Sequence, residues 1–229
     1  MKTKLGERDD LLSMVTHEIK NPLTSITGFT MFAEDAVKNH DDALALESLQ
    51  VVRSEAQRVL RLAEDLLDIA QVAAGRFSVR RESVNLESIV RSIAARYEMT
   101  TGRRIEVIVT DEFPYVAGDA VRLGQVIENL VSNATKYSPD ETPIRITLQC
   151  TDCRVTVCVW NNGPQIPPKQ LPCIFERFSR LPNGSAIKGN GLGLYISRQI
   201  VELHGGTIDV LSSEGEGTCF TIVLPRPIN

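Results

Sequence analysis

The chain has 229 residues, a net charge of −4 and 42% hydrophobic residues, which is ordinary for a globular protein. The charge argues against the basic face that nucleic-acid binding usually needs, so we expect no nucleic-acid partner. No apolar run approaches the roughly 20 residues that span a bilayer, and the charged N-terminus is unlike a secretory signal. We therefore expect a cytoplasmic chain with no membrane segment, whose longer parent protein would carry any sensor or membrane region.

The chain contains five cysteines, namely Cys150, Cys153, Cys158, Cys173 and Cys219. An odd number without an export signal argues against a disulfide framework. Cys150 and Cys153 form one CxxC at a predicted hairpin turn. Because a second pair and a nearby histidine are lacking, this motif is weak evidence for zinc or redox chemistry. The simpler interpretation is small strand residues that flank a turn.

Two long helical patterns come first, at about residues 5–38 and from the polar break at 39–42 to near Gly75. Apolar residues at three- and four-residue steps predict one buried stripe on each. The stripes are Leu12, Val15, Ile19, Leu23, Ile26, Phe29, Ala33 and Val37, then Leu49, Val52, Ala56, Val59, Ala63, Leu66 and Ala70. A single antiparallel hairpin exposes too much of these stripes, so we expect a homodimer in which two hairpins form a four-helix bundle.

His17 lies two residues past Val15, about 200° round the helix at ~100° per residue. Its side chain should therefore face solvent, and an exposed histidine on a rigid helix is available as a nucleophile. Asn21 lies one turn later on the same side. Pro22 normally weakens a helix interior, which suggests that the local geometry around His17 matters. For Glu18 and Asn21, ordinary polarity of a helix surface is the simpler interpretation.

From about residue 77 the pattern becomes mixed. Helices are predicted at 83–96, 119–136 and 191–203, and strands at 105–109, 144–148, 155–159, 206–210 and 218–224. Residues 162–190 are rich in proline, glycine and polar residues, and loops of this length are often functional lids. The fold class is therefore α+β: a helical hairpin over residues 1–76 and an α/β sandwich over residues 77–229.

Asn129, Asn133 and Lys136 share one face of a predicted helix. Two amide oxygens and a cation suit a hydrated Mg²⁺ and the phosphates that it carries, although a solvated helix face is the simpler interpretation. A glycine cluster opens the last predicted helix: Gly189, Gly191 and Gly193. Backbone amides at such a helix start face an anion. No GxxxxGK[ST] motif occurs and no βαβ unit precedes the cluster, so neither a P-loop nor a dinucleotide site is indicated.

The order of these pieces resembles the histidine protein kinases of two-component signalling over nearly the whole chain. Residues 17–22 resemble the phosphoacceptor box and residues 129–137 the N box. Four further segments follow in the family's order: the first glycine box at 157–163, the F box at 175–178, the second glycine box at 189–194 and the glycine–threonine element at 214–220. Agreement of all these elements in sequence order is not expected by chance.

The resemblance implies a dimerisation and phosphotransfer hairpin followed by an ATP-binding domain of the Bergerat type, shared with some chaperones and topoisomerases. It implies that His17 attacks the γ-phosphoryl group of ATP through a neutral ring nitrogen, and that Glu18 orients the ring or takes its proton. The residue at the position of Asn21 helps to place water for phosphatase action in the family. The partner would be the receiver domain of a response regulator, whose aspartate accepts the phosphoryl group.

The resemblance also implies that ATP and Mg²⁺ bind in the second domain, where residues 162–190 become the ATP lid. Asn129 and Asn133 are expected to bind Mg²⁺. The other nucleotide-binding residues expected from the matched boxes are Lys136, Tyr137, Asn161, Gly163, Ile166, Arg177, Gly189, Gly191, Leu192, Gly193 and Thr218.

The first glycine box departs from the family at two positions. Asn161 stands where an aspartate usually accepts a hydrogen bond from adenine, and a neutral acceptor is the weaker one. Gln165 stands where a second glycine is usual, and a glutamine would be strained if that position required positive φ. Two functions therefore stay open: an active ATP-dependent histidine kinase, and a dimeric signalling scaffold with weakened or lost nucleotide binding.

A Bergerat-type ATPase outside signalling is disfavoured. Asn129 stands where those enzymes carry a water-activating glutamate, and the His17 helix would be unexplained. The other histidines are not predicted to be catalytic. His40 lies in the turn between helices, and His204 ends a helix, where a cationic side chain suits the dipole.

Overall fold

The computed structural model describes residues 4–110, 115–179 and 191–226. The chain divides into two compact units, residues 1–70 and residues 71–229. Within the described ranges, no helix combines the length and the apolar character that a membrane crossing requires.

The first unit contains two long helices, α1 (Lys4–Lys38) and α2 (Asp42–Ala73), and the last turn of α2 extends past its boundary at residue 70. They are separated by the polar break that the sequence predicts. His40 adopts a φ of 59° in this turn, and Asp41 Oδ1 accepts a hydrogen bond from the Leu44 amide over 3.0 Å. This bond satisfies one of the amides that a helix start leaves without an intrahelical partner. Pro22 lies inside α1 and is buried.

The hairpin buries only part of its apolar surface. Ala33 and Ala36 of α1 and Leu62 and Ile69 of α2 are less than 8% exposed. Several stripe residues and other large hydrophobic side chains stay exposed in the single chain: Leu23, Met31, Phe32, Val37, Leu44, Leu46, Leu49, Leu60 and Leu67. Large exposed apolar surface of this kind marks an interaction site.

The described part of the second unit contains a five-stranded sheet in the order β2–β4–β5–β7–β6 and a separate β1–β3 pair. Strands β2 and β4 are parallel, and the other pairs are antiparallel. The elements, in chain order, are β1 (Glu82–Asn85), α3 (Leu86–Thr101), β2 (Ile105–Val109), β3 (Tyr115–Gly118), α4 (Ala120–Tyr137), β4 (Ile144–Cys150), β5 (Arg154–Asn161), a 3₁₀ turn (Leu171–Cys173), α5 (Gly193–Leu203), β6 (Thr207–Ser213) and β7 (Gly217–Pro225).

The start of α3 corrects the sequence interpretation. Residues 83–85 were predicted to be helical, but they belong to β1, which pairs with the unpredicted β3. Asn85 then caps the helix, because its side-chain oxygen accepts a hydrogen bond from the Ser88 amide over 3.1 Å. An asparagine at this position stops the helix from extending backwards, and a four-residue strand is too short to show a clear period of two.

One face of the five-stranded sheet forms the core with α4 and α5. Side chains alternate along the central strands, and those on the inner face are at most 1% exposed: Ile144, Ile146, Leu148, Val155, Val157, Val159, Ile222 and Leu224. This is the pattern of a sheet that is covered on one side. Helix α4 adds the fully buried residues Leu123, Val126, Ile127, Leu130 and Val131, so the opposite edge of α4 is left to carry polar residues.

Cysteine pairing differs from the expectation. Cys158 on β5 and Cys219 on β7 are joined by a disulfide, although the cysteine count argued against a disulfide framework. The antiparallel register places both residues on the same face of neighbouring strands, which a count cannot reveal. Cys150, Cys153 and Cys173 are not part of this disulfide. The CxxC flanks the β4–β5 turn, in agreement with the simpler interpretation of that motif.

Candidate functional site

The position of α4 is fixed at its start by Asp119. The carboxylate accepts hydrogen bonds from the amides of Val121 and Arg122 over 3.1 and 3.2 Å, and from the Arg80 amide over 3.1 Å. Burial by itself raises the pKa of the Asp119 carboxyl. The three amides and the Arg122 charge outweigh burial and hold that pKa below its ordinary value.

Asn129, the first predicted metal ligand, lies against the first turn of α5. Its Nδ2 donates a hydrogen bond to Ser197 Oγ over 3.0 Å. A Cβ built on Gly193 would collide with Asn129 Oδ1. Gly193 therefore leaves room for the Asn129 side chain, and the amide oxygen of Asn129 lies at the beginning of α5. Leu192, which immediately precedes α5, is fully buried.

Two residues within the predicted lid, Phe178 and Ser179, lie next to Gly191, which directly follows the lid. This glycine has a φ of 67°, and a Cβ there would lie 2.8 Å from Ser179 O and 2.8 Å from the Phe178 carbonyl carbon. Phe178 has a φ of 61°, a conformation that a bulky side chain rarely adopts. Residues 179 and 191 are thus held next to each other. Gly189 and the rest of residues 180–190 lie outside the described residues.

Arg177 of the F box contacts Tyr195 on α5. Its guanidinium lies 4.7 Å from the centre of the Tyr195 ring, and Nη2 donates a hydrogen bond to the Tyr195 hydroxyl over 2.7 Å. The neighbouring Phe175 packs edge-on against Phe220 of β7, with ring centres 6.4 Å apart. The F box therefore has a buried anchor and one exposed cation near the first turns of α5.

A second group of predicted residues gathers where β5 ends. Asn161 is 3% exposed and lies opposite Thr218, which is 4% exposed. A Cβ built on Gly163 would collide with the carbonyl oxygen of Tyr137 and would lie 2.6 Å from Asn161 Nδ2. Only a glycine therefore allows the chain after β5 to cross the end of α4 so closely.

Ser212, which the sequence analysis missed, connects two further predicted residues. Its Oγ lies 2.7 Å from Thr218 Oγ1 and accepts a hydrogen bond from the Ile166 amide over 2.9 Å. Ile166 is 7% exposed. Because Ser212 is on β6, its contact with Ile166 depends on the sheet order and has no local sequence signal.

The predicted residues of the second unit thus form two groups along the last two turns of α4. Asn129 marks one group and Tyr137 the other, and eight residues of helix separate them by ~12 Å. Asn133 is half-buried and Lys136 is exposed between them. An extended ligand with a hydrogen-bonding ring at the Asn161 end and an anionic group at the start of α5 suits this arrangement.

The donor set suits one kind of metal. The described residues contain no cluster of three or more His, Cys, Asp or Glu side chains that could hold an ion. Asn129 and Asn133 offer amide oxygens on one helix. Mg²⁺ usually keeps several waters and is bound by one or two protein oxygens together with substrate phosphates, so these two residues fit an ion that arrives with a phosphate ligand.

Gln165 does not have the strain that its position in the glycine box suggested. Outside glycine, only His40 and Phe178 have positive φ among the described residues. The condition under which a glutamine would be strained, a positive φ, is therefore not met at Gln165. Asn161 remains the one departure at a buried position.

In the first unit, His17 is exposed on α1, as the helical spacing predicts. Its Nδ1 lies 3.3 Å from Asn21 Nδ2. The neighbouring Glu18 forms an ion pair with Arg58 Nη2 of α2 over 3.3 Å. Arg58 Nη1 also lies 3.5 Å from Glu55 Oε2. Arg58 was not predicted, because its partner Glu18 is 40 residues away in the sequence.

His204 is not the cationic helix end that the sequence suggested. The ring is 3% exposed, and its Nε2 accepts a hydrogen bond from the Asp119 amide over 2.9 Å. Its Nδ1 lies 2.7 Å from the Ile200 carbonyl oxygen, which can only accept. The ring is therefore neutral with its proton on Nδ1.

Two family models match the chain. The model described as "His Kinase A (phospho-acceptor) domain" matches residues 7–75. The model described as "Histidine kinase-, DNA gyrase B-, and HSP90-like ATPase" matches residues 118–228. The sensor histidine kinase WalK of Bacillus subtilis (strain 168) is 33% identical over 226 residues, which cover 96% of this chain and 37% of WalK. The chain therefore spans little more than a third of that relative's length.

Solved structures give the same result. The mycobacterial sensor histidine kinase MprB is 32% identical, with a TM-score of 0.57, over 64% of this chain and 99% of the MprB chain. Histidine kinase ThkA, in complex with the response regulator protein TrrA, is 27% identical with a TM-score of 0.69 over 96% of this chain and 62% of that chain. The phosphoacceptor box, the two-part site around α4 and these matches together show that the chain belongs to the sensor histidine kinases of two-component signalling.

Proposed function

We propose that this chain phosphorylates its own His17 with ATP and passes the phosphoryl group to an aspartate of a response-regulator receiver domain. The observation that carries the proposal is the close packing of the Asn129 amide oxygen against Gly193. This packing supports an anion site beside an amide oxygen at the start of α5. In this proposal the helical hairpin, residues 1–76, provides the acceptor, and residues 77–229 provide the nucleotide site.

The two residue groups along α4 divide the nucleotide between them. The group at the end of β5 would take the adenine. Asn161, Ile166 and Thr218 of this group are buried, and Tyr137 and Gly163 are half-buried. The group at the start of α5 would take the phosphates, because helix N-termini present free amides and a positive dipole to anions. It comprises Asn129, Asn133, Lys136, Arg177, Gly191, Leu192 and Gly193. From its place in the second glycine box we also assign Gly189, which lies outside the described residues, to phosphate binding.

Asn129 and Asn133 would bind Mg²⁺. When bound, the ion compensates the charge of the phosphates during transfer. The protein's own contribution is to present two uncharged oxygens and two nearby cations, Lys136 and Arg177, around the site. Uncharged amide ligands leave the net charge of the ion available to the phosphates, which supports binding of the metal together with its nucleotide.

Attack by His17 needs a ring nitrogen with a free lone pair. The amide ends of Asn21 are nearly isosteric, so a half-turn of the amide places Oδ1 where Nδ2 stands. Oδ1 then accepts a hydrogen bond from the Nδ1–H group of His17, which leaves Nε2 as the nucleophile. As the nitrogen–phosphorus bond forms, the bond from the γ-phosphorus to the oxygen of the leaving ADP breaks, and Oδ1 stabilises the positive charge that develops on the ring.

Two further roles are assigned to residues beside His17 on α1. Glu18 would orient His17 or accept its proton, and the ion pair with Arg58 fixes the position of that carboxylate. Asn21 would also hold a water for phosphatase action on the phosphorylated regulator. Its amide can both donate to and accept from such a water.

Partners are assigned from surfaces of the first unit. The exposed hydrophobic side chains of α1 and α2 support a homodimer through the hairpin. The exposure of His17 on α1 supports docking of the receiver domain beside it, because the aspartate of that domain has to reach the histidine. We assign the chain to the cytoplasm, where ATP and receiver domains are found.

The alternative, a dimeric scaffold that no longer binds nucleotide, is supported only by Asn161. Incubation with γ-labelled ATP and Mg²⁺ separates the two. We expect acid-labile, base-stable label on the native chain and no label on His17→Ala, while both bind ATP. A receiver domain added afterwards should remove the label from the native chain. A native chain without label, and label gained by Asn161→Asp, would overturn the kinase proposal in favour of the scaffold.

A further inference from the structure

We infer that Ser197 is a positioning residue that holds the Asn129 side chain in place, so that its oxygen stays at the start of α5 beside the proposed metal and phosphates. The inference rests on the proposed function, because it takes Asn129 as a ligand of Mg²⁺. It adds a residue that no motif of the sequence singled out and that does not itself touch the nucleotide.

A hydrogen bond between the two side chains restricts the rotation of the amide. Asn129 Nδ2 donates to Ser197 Oγ over 3.0 Å, and Ser197 is 2% exposed. An asparagine side chain has a donor end and an acceptor end of almost equal size. Since Mg²⁺ binds oxygen and not an amide nitrogen, an inverted side chain would remove one metal ligand without changing the packing.

Gly193 and Ser197 act on the two ends of the same amide. A Cβ on Gly193 would collide with Asn129 Oδ1, so the absence of a side chain there makes space for the oxygen. Ser197 comes four residues later, about one turn of α5, and therefore lies on the same face of the helix. On this face of α5, Asn129 Nδ2 contacts Ser197 one turn into the helix, and Asn129 Oδ1 lies beside Gly193 at the helix start.

Removing the hydroxyl has a defined cost. A buried Nδ2 without an acceptor is unfavourable, and rotation of the amide by half a turn relieves it only by turning the nitrogen toward the phosphates. Partners that orient a metal ligand typically change metal affinity or activity by about 10- to 100-fold when they are removed. A purely structural serine would instead weaken nucleotide binding to the same extent with and without metal.

The test is binding of a fluorescent ATP analogue by the full chain over a range of Mg²⁺ concentrations and in EDTA. We expect Ser197→Ala to raise the Mg²⁺ concentration for half-maximal binding about tenfold or more, with unchanged affinity in EDTA. Ser197→Thr keeps an acceptor and should stay within about threefold of the native value. Ser92→Ala, an exposed serine of α3, is the matched control and should behave as the native chain. Thermal unfolding without nucleotide checks that each variant is folded.

If Ser197→Ala does not fold, Ser197→Thr and Ser197→Val replace it, because they are similar in size and differ in the hydroxyl group. The Val variant should then need about tenfold or more Mg²⁺ for half-maximal binding than the Thr variant. Native Mg²⁺ dependence in Ser197→Ala, or equal losses with and without Mg²⁺, would overturn the inference and leave the proposed function standing. A native chain that binds no nucleotide at any Mg²⁺ concentration would overturn both.

Discussion

The backbone amide of Asp119 donates a hydrogen bond to Nε2 of His204 over 2.9 Å, which ties the start of α4 to the residue that follows α5. The same ring donates from Nδ1 to the Ile200 carbonyl oxygen over 2.7 Å. One neutral imidazole therefore links the two helices that carry Asn129 and Gly193. The packing is tight, since a Cβ on Gly118 would lie 2.7 Å from His204 Cδ2.

Removal of this ring should destabilise the second unit. We expect His204→Ala to lower the free energy of unfolding by about 2–4 kcal/mol, because it leaves a buried amide and a buried carbonyl without partners and opens a cavity. Urea denaturation followed by circular dichroism measures the change. His40→Asn is the control, since His40 is exposed and asparagine tolerates positive φ. Equal unfolding midpoints for His204→Ala and the native chain would contradict the assigned role.

The charge of Asp119 should stabilise the fold only above a low pH. Its pKa in the folded chain lies below the ordinary value of 3.8, since the backbone amides and Arg122 outweigh burial. A carboxyl whose pKa is lower when folded stabilises fully above its unfolded pKa and loses that contribution as pH falls through the folded pKa. The difference in unfolding free energy between the native chain and Asp119→Asn should therefore be constant from about pH 5 to 8 and shrink below about pH 4. A difference that persists unchanged near pH 2 would contradict the assignment.

Local sequence patterns predicted the elements that hold the site better than they predicted its contacts. Helix α4 follows from its apolar period and the capping aspartate, and β4, β5 and β7 follow from alternation. Strand β3 was missed and residues 83–85 were misread, because the β1–β3 pairing joins segments that are weak on their own. A strand pairing across α3 leaves no periodic signal in either short segment.

In the candidate site, too, local motifs were predictable and long-range contacts were not. Asn129, Asn161 and Gly193 could be chosen because family motifs occur around them. Ser197 and Ser212 could not, since their partners are 68 and 46 residues away in the sequence. The spacing of Ser197 one turn after Gly193 was the only available signal, and it has meaning only once α4 is known to pack against α5.

Arg103 should be a major source of stability for the end of α4 that carries Tyr137. The side chain is 4% exposed. Its Nη1 donates to the carbonyl oxygens of Thr135 and Ser138, and its Nη2 donates to the Ser138 hydroxyl over 2.8 Å. The Pro139 and Thr142 carbonyl oxygens accept further bonds from Nη2 over 2.7 and 2.8 Å. These bonds satisfy carbonyls that the helix end and the following turn leave without partners.

We expect Arg103→Met to lower the free energy of unfolding by about 3 kcal/mol or more, because several buried carbonyls lose a charged donor. Arg103→Lys should recover only part of this loss, since one ammonium cannot replace the guanidinium fork. Urea denaturation measures both. Arg104→Met is the matched control at a side chain that is 78% exposed and should stay within about 0.5 kcal/mol. Full recovery by lysine would show that the charge alone matters.

The ion pair between Glu18 and Arg58 should affect the phosphoacceptor segment directly. We expect Arg58→Met to lower the rate of autophosphorylation about tenfold, because Glu18 loses the partner that fixes its carboxylate. A double-mutant cycle with Glu18→Gln measures the coupling, and the double variant should be no slower than the slower single variant. Arg61→Met, an exposed position on α2, is the control. Independent, additive effects of the two substitutions would exclude a functional pair.

The exposed leucines of α2 should hold two hairpins together. Leu46, Leu49, Leu60 and Leu67 are between 51% and 62% exposed, and their spacing follows the alternation of three and four residues that bundle helices use. We expect Leu60→Glu to weaken the dimer about 100-fold or more, because each copy would bury an unpaired carboxylate in the interface. Light scattering across a dilution series measures the dissociation. Gln57→Glu adds the same charge at an exposed polar position of α2 and should leave the dimer intact. A Leu60→Glu chain that stays dimeric at the same concentrations as Gln57→Glu would exclude this face of α2 from the interface.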